Sequence, residues 1–419
     1  MDIVLKGVTV ADPFSPFHLQ TSDVFIQNGF IAEIGNLSRI SEETIAVEGL
    51  HVSPGFADVF AHFCDPGQEQ RETLETGALA AAYGGYTDVM VLPNTIPAMH
   101  HKAGVEYIVQ RSRRLPVSVH PIGAVTKNAE GKELAEMYDM QDSGAVAFSD
   151  GLCPLQSSGI AVKALQYLKA VDKTLIQLPD DGSLSAHGLM NEGIASTRLG
   201  LPGKPAIAEE LMIGRDLELA KYTGSKLHIT GVSTAKGINL IKAAKKAGVS
   251  VTCSVTPYHL FFSDDDLNDY DTNLKVSPPL RTKTDCEALK AALLDGVIDC
   301  IASHHLPQHT DNKIVEFEYA KNGMIGLETC FAAVRTTVPQ LSLERLVDLF
   351  STAPRKIFAL PQTSVQAGQL ASLSLFLPNA EWMPSTFYSR SKNSAFTGKT
   401  LTGKPLGIIH KGGLLLRPQ

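Results

Sequence analysis

The sequence predicts a (β/α)8 barrel, a TIM barrel of the α/β class, with a small β-sandwich domain attached. The chain has 419 residues, enough for a barrel of roughly 250 residues and an accessory domain. Its central part alternates short apolar stretches with helical stretches, which is typical of βα units around a parallel sheet. Both ends instead carry short alternating strands separated by turns. We therefore predict a barrel over 53–359 and a composite β domain from 1–52 and 360–419.

The β domain is indicated by turn signals at both ends of the chain. Asn28 and Gly29 lie between two alternating runs, which is a strong hairpin signal. Strand patterns return at 373–377 and 405–416, where Gly412 and Gly413 interrupt the second run. We expect these two ends of the chain to pair in one domain that flanks the barrel.

Eight candidate strands make the barrel more probable than an open sheet. They cover residues 55–62, 87–92, 117–123, 145–150, 174–178, 226–230, 249–255 and 299–303. In such a barrel the reactive groups lie where strands end, because that face is concave and open to solvent. The strand ends carry His62, Asn94, Asp150, His304 and His305.

Composition and charge exclude several classes of function. The chain is 44% hydrophobic and 19% charged with a net charge of −7, so it lacks the basic balance of a general nucleic-acid binder. No apolar run reaches the ~18 residues that a membrane span needs, and we expect no secretory signal. The six cysteines form no C-x-x-C pair, which is typical of free thiols in a reducing compartment. We expect a cytoplasmic protein that binds neither nucleic acid nor membrane.

Several long motifs give the chain a family resemblance. The stretch PGFADVFAHFCDPGQEQRETLETGALAAAYGGYT at 54–87 is followed by PNTIP at 93–97, AFSDG at 147–151, GLPGKPAIAEE at 200–210 and KVSPPLR at 275–281. In this order the motifs resemble the dihydroorotases of the amidohydrolase superfamily, over essentially the whole chain. The resemblance implies a barrel with one or two zinc ions that polarise a cyclic amide and activate water.

The resemblance also implies that most metal ligands are replaced. The family's first strand ends in H-x-H-x-R, and here Phe60 and Cys64 stand at the first and last of these positions. The fifth- and sixth-strand histidines are replaced by Leu178 and Gly231, and the eighth-strand aspartate by His304. The asparagine of the K-V-N-P-P motif is replaced by Ser277. Of the six metal positions, His62 and Asp150 keep the family's residue.

Two interpretations of this site stay open. In the first, His62 or His304 forms a hydrogen bond with Asp150 and no cofactor is bound. In the second, His62, Asp150 and His304 hold one zinc ion at an open site, with His304 as the catalytic residue. Asn94 of the PNT motif is kept and would contact substrate. A Cys64 nucleophile has little support, because no acid is placed to orient a base.

The leading hypothesis is a dihydroorotase-like protein of the pyrimidine-biosynthesis family that is catalytically inactive. The resemblance implies a scaffold role, since non-catalytic homologues partner aspartate transcarbamoylase, and we expect a homo-oligomer, a dimer. The alternative is an active dihydroorotase or another cyclic amidohydrolase that hydrolyses a ring amide C–N bond with a single zinc. A ligand-sensing barrel is a weaker third hypothesis.

Overall fold

A computed structural model describes residues 2–39, 41 and 43–418 of the protein. The strands, in chain order, are β1 Asp2–Val10, β2 Thr21–Gln27, β3 Phe30–Gly35, β4 Glu43–Ile45, β5 His51–Pro54, β6 Phe56–Ala61, β7 Tyr86–Val91, β8 Ser118–Gly123, β9 Ala147–Phe148, β10 Leu175–Gln177, β11 Met190–Asn191, β12 Gly203–Lys204, β13 Leu227–Ile229, β14 Val251–Val255, β15 Cys300–Ile301, β16 Leu373–Trp382, β17 Leu401–His410 and β18 Gly413–Leu416.

The helices separate most of the central strands. They are α1 Leu74–Tyr83, α2 Lys102–Arg111, α3 Met137–Asp142, α4 Ser158–Ala170, α5 Gly182–Ser185, α6 Ile194–Leu199, α7 Ile207–Thr223, α8 Ala235–Lys246, α9 Pro257–Phe261, α10 Lys283–Leu294, α11 Cys330–Thr337, α12 Leu343–Val347 and α13 Ala353–Ile357. Within the described ranges, no helix is both long enough and apolar enough to cross a lipid bilayer.

The central strands form the predicted barrel. Eight parallel strands pair in the order β15-β14-β13-β10-β9-β8-β7-β6, and all eight fall within the segments expected from the sequence or within a residue of them. The barrel is nearly closed between its first strand, β6, and its last strand, β15. Ala61 forms a parallel bridge with His305, and the His62 amide donates to the His305 carbonyl at 2.8 Å. The predicted fold class is confirmed.

The two ends of the chain share one further sheet. Its strands pair in the order β18-β17-β16-β5-β1-β2-β3, with β4 beside β1. The apolar side chains of both ends form a single core, from Ile3 and Leu5 at the N-terminus to Leu373 and Ile409 near the C-terminus. Strand β5 leads directly into β6 across Gly55, so this sheet is tied to the first barrel strand, whose far end carries His62.

Candidate active site at the barrel mouth

His62 follows the first barrel strand and lies buried in the mouth. Its Nδ1 accepts a hydrogen bond from the Cys64 amide at 2.8 Å, so the ring proton is on Nε2, which faces the Asn94 carbonyl at 3.1 Å. Burial lowers the pKa of His62 to about 3, and the ring is neutral at physiological pH. A neutral imidazole has one nitrogen lone pair for a metal, and here a backbone amide occupies it.

Asp150 follows the fourth barrel strand, β9, and its carboxylate contacts the loop that follows β8. Its Oδ1 accepts from the Thr126 amide at 2.9 Å and its Oδ2 from the Thr126 hydroxyl at 2.5 Å. Burial raises the pKa of this carboxyl. The predicted hydrogen bond between Asp150 and either His62 or His304 is wrong, because Thr126 satisfies both carboxylate oxygens instead.

His304 follows the last barrel strand and is also buried. Its Nε2 lies 2.8 Å from the Thr230 hydroxyl. The ring of Phe60 stacks on it with the centroids 4.4 Å apart and the planes 28° apart. Burial, helped by the nearby His259 and His228, lowers the pKa of His304 to about 3.

Gly231 is the position that makes room for the His304 ring. Its φ is +67°, in the left-handed region that glycine tolerates best. A Cβ at this position would lie 2.7 Å from His304 Cε1 and 3.2 Å from Leu178 Cδ1. A longer side chain at 231 is therefore incompatible with the present His304 rotamer. Phe60, Leu178, Gly231 and His304 therefore form one contiguous cluster, in which Phe60 stacks on His304 and Gly231 lies beside both His304 and Leu178.

A chain of hydrogen bonds continues from His304 into the barrel interior. The Ser254 hydroxyl donates to Thr230 Oγ1 at 2.9 Å and lies 3.0 Å from His228 Nε2. His228 Nδ1 in turn lies 2.8 Å from the Thr252 hydroxyl. His228 therefore has an interior structural role. The partners Thr252 and Ser254 were not predicted from the sequence. They are two residues apart in a strand pattern, which places their side chains on the same face.

The remaining predicted site residues also have protein partners. Asn94 Nδ2 donates to the Asp150 carbonyl at 3.0 Å, and its Oδ1 accepts from the Leu152 amide at 3.0 Å, so this side chain joins two loops. Burial raises the pKa of the Cys64 thiol to about 12, which leaves it protonated and a poor nucleophile at neutral pH. Ser277 Oγ lies 3.5 Å from Lys204 Nζ, which pairs with Asp180 at 2.6 Å.

Little space remains between these side chains. The cavity at the mouth has a volume of about 10 Å³, and its lining includes Phe60, Leu92, Tyr258, Ser277 and His304. This is room for about one water molecule. A cyclic amide with a bound metal needs far more volume, so the described rotamers close the mouth to a substrate of that size.

The residues present at the mouth do not fit a zinc ion. Zinc takes nitrogen, sulfur or carboxylate ligands whose donor atoms converge at about 2.0–2.3 Å. Across 2–39, 41 and 43–418, no three His, Cys, Asp or Glu side chains converge in a way that could hold a metal. The donor atoms of His62, Asp150 and His304 are each held by a different neighbour.

The whole chain is similar to proteins named dihydroorotase. It is 40% identical to a dihydroorotase of Syntrophus aciditrophicus over 423 residues, which covers 99% of each protein. It is 41% identical to a dihydroorotase of Ruminiclostridium cellulolyticum over 426 residues, which covers 100% of this chain and 99% of the relative. The family model described as dihydro-orotase-like matches residues 49–237.

A solved structure has the same fold as this chain. The L-hydantoinase (dihydropyrimidinase) of Arthrobacter aurescens superimposes with a TM-score of 0.85 at 25% identity, over 99% of this chain and 98% of that one. The barrel, the second sheet and the family motifs therefore occur together in one architecture, that of the amidohydrolases. The chain belongs to the dihydroorotase family.

Proposed function

We propose that this member of the dihydroorotase family does not hydrolyse dihydroorotate and instead serves as a scaffold or partner subunit. The observation that carries the proposal is the cluster formed by Phe60, Leu178, Gly231 and His304. Apolar contacts and an aromatic stack fill the positions at which the family would place metal ligands. A charged ion in such surroundings is costly unless several ligands compensate its lost hydration.

The substrate side of the mouth supports the same proposal. In the family resemblance, Cys64 and Ser277 stand where an arginine and an asparagine would hold the substrate carboxylate. A buried protonated thiol supplies no positive charge, and a bidentate arginine contact has no replacement in it. Asn94, the remaining polar residue of that side, already donates to and accepts from the backbone of the neighbouring loop.

The partner that we propose is aspartate transcarbamoylase, because non-catalytic homologues of this family act beside that enzyme. Its test is co-expression of the full chain with the catalytic chain of the transcarbamoylase, followed by size exclusion with light scattering. A joint complex of defined stoichiometry is the expected result. A chain that elutes with unchanged mass in the presence of the transcarbamoylase would contradict the scaffold role.

The second candidate is an active dihydroorotase, or another cyclic amidohydrolase, with a single zinc at His62, Asp150 and His304. The specific observation in its favour is the 40% identity to proteins named dihydroorotase along 99% of both chains. The comparisons support this candidate more than the first, whereas the contacts at the mouth support the first.

Zinc content and turnover separate the two candidates. The chain would be purified with added zinc, analysed for bound metal, and assayed with dihydroorotate beside His62→Ala and Asp150→Asn variants. The first candidate predicts no stoichiometric zinc and no turnover that depends on either residue. The second predicts about one zinc ion per chain and turnover that both substitutions abolish. The variants also reveal any contaminating host enzyme, whose activity would not change.

A further inference from the structure

A second, much larger cavity lies at the opposite end of the barrel from the mouth. Its volume is about 440 Å³, and we call it the basal cavity. Its wall includes residues near the starts of β7 and β8, the Asn28-Gly29 turn, the turn between β17 and β18, and the segment that follows α13. It therefore lies where the barrel meets the β domain.

The basal cavity collects buried polar atoms that have no hydrogen-bond partner. In the described part of the chain nine buried side-chain atoms lack one, and four belong to residues that line this cavity. They are Arg355 Nε, Thr363 Oγ1, Ser372 Oγ and His410 Nδ1. Buried polar atoms are nearly always paired in folded proteins, and a local group of unpaired ones calls for a missing partner.

The charges around the basal cavity favour an anion. Arg355 and Lys411 supply two cations, whereas Asp88 is the one carboxylate among its described lining residues. Asp88 pairs with Arg355 at 2.5 Å and lies 2.8 Å from His120 Nε2, so Asp88 and Arg355 neutralise each other and Lys411 leaves the lining with one net positive charge. Lys411 Nζ donates to the carbonyls of Leu115 and Val117, which offset none of its formal charge.

Arg355 is held in place by the protein itself. Its Nη2 donates to the Gly55 carbonyl at 2.9 Å and to Thr87 Oγ1 at 2.9 Å, and its Nη1 donates to the Pro361 carbonyl at 2.7 Å. Only Nε is left without a partner. Such a fixed guanidinium loses little rotamer freedom when it binds an oxyanion.

A neighbouring cavity at the same end of the barrel provides a contrast. It is larger, about 600 Å³, and its lining includes Lys226, Arg345 and Lys356. Lys226 pairs with Asp172 at 2.7 Å and Arg345 pairs with Asp348 at 2.5 Å. None of the nine unpartnered atoms of the described residues belongs to its lining. Volume and basic residues alone therefore do not distinguish the basal cavity, but its unpaired donors do.

We propose that the basal cavity binds a small metabolite through a phosphate or carboxylate group. Thr363 and Ser372 donate their hydroxyls to the oxyanion and Arg355 donates its Nε–H, whereas Lys411 supplies the net positive charge. The site lies outside the family's active site and does not depend on whether the mouth is catalytic.

Titration calorimetry of the full chain tests the proposal with inorganic phosphate, uridine monophosphate and succinate at matched ionic strength. The deciding variant is Thr363→Val with Ser372→Ala, which removes two hydroxyls that have no partner in the protein. Because no internal hydrogen bond is lost, the variant should fold with an unchanged or higher melting temperature. We expect at least one probe to bind, and the double variant to bind it at least about tenfold more weakly.

Lys356→Met in the neighbouring cavity is the matched control, and it should leave binding unchanged. Lys411→Gln is a second deciding variant, which alters a different residue and should also weaken binding of the same probe. The proposal is overturned if none of the three probes binds at millimolar concentration. It is equally overturned if binding survives in both deciding variants, or if Lys356→Met weakens it as much as they do.

Discussion

Gly231→Ala tests the packing of the barrel mouth most directly. The residue has a φ of +67°, and the new Cβ would lie 2.7 Å from His304 Cε1. Adopting the left-handed conformation costs a non-glycine residue about 1–2 kcal/mol, and overpacking a buried site costs about 1–3 kcal/mol. We therefore expect the free energy of unfolding to fall by about 2–5 kcal/mol in total.

Gly200→Ala separates these two contributions. Gly200 has nearly the same φ, +66°, but a Cβ there meets no atom within 4 Å. It should therefore show the backbone cost alone, about 1–2 kcal/mol. The difference between the two variants, measured by urea unfolding under identical conditions, gives the steric cost at the mouth.

A double-mutant cycle with His304→Ala completes the test. Without the imidazole, the tightest contact left for the new Cβ is Leu178 Cδ1 at 3.2 Å, so Gly231→Ala should cost little more than Gly200→Ala. The two mutations at the mouth should then couple by about 1–3 kcal/mol. Equal costs for Gly231→Ala and Gly200→Ala, or a coupling near zero, would show that His304 does not pack on Gly231. The described cluster would then be wrong.

Two further predictions concern the buried histidines. Burial lowers the pKa to about 3 for four of them, His62, His228, His259 and His304. Unfolded histidines take up protons below about pH 6.5, whereas these folded ones do not. The folded state should therefore have its full stability above that pH and lose stability as the pH drops toward 3. The loss should be up to about 1.4 kcal/mol per pH unit for each histidine. Urea unfolding midpoints measured from pH 7 to pH 5 test this pH dependence. His228→Gln should lower the slope of stability against pH by about 1.4 kcal/mol per pH unit, which corresponds to one proton. A stability that does not change with pH would contradict the prediction. Separately, Thr230→Val removes the partner of His304 Nε2 and the acceptor of the Ser254 hydroxyl, which keeps only its contact with His228. This variant should cost about 1–3 kcal/mol, whereas the exposed Thr21→Val should change the unfolding free energy little. Similar costs for both would argue against the interior hydrogen-bond chain.

The sequence was sufficient for the architecture because hydrophobic alternation and turn residues are local signals. All eight barrel strands could be located from them, and the Asn28-Gly29 turn does connect β2 and β3. The return of the C-terminal strands to the N-terminal ones also followed from pattern, since both ends carried the same kind of strand.

The contacts at the mouth could not be predicted in the same way. Residue identity at strand ends placed His62, Asp150 and His304 on one face, but not the atoms that each would bond. The Nδ1 of His62 accepts from an amide only two residues away because Cys64 has a φ of 60°. The partner of Asp150 comes from the preceding βα loop, and that of His304 from two strands away in the barrel order. Such choices depend on loop conformation, which apolar periodicity does not encode.

The basal cavity was missed for a related reason. Its lining residues come from segments as far apart in sequence as Asn28, Asp88, Arg355 and His410. None of these is unusual in its local context. Only the docking of the turn between β17 and β18 against the start of β8, through His410 and Ser118 at 2.9 Å, brings them to one surface.

The contact between Gly231 and His304 also has an evolutionary consequence. Since no larger side chain fits at 231 while the His304 ring keeps its place, a substitution at either position changes what the other tolerates. A lineage that replaces Gly231 first passes through a destabilised protein, whereas one that shortens residue 304 first opens space that 231 can then fill. The order of substitutions is therefore constrained, and the two positions are expected to covary among descendants of this sequence.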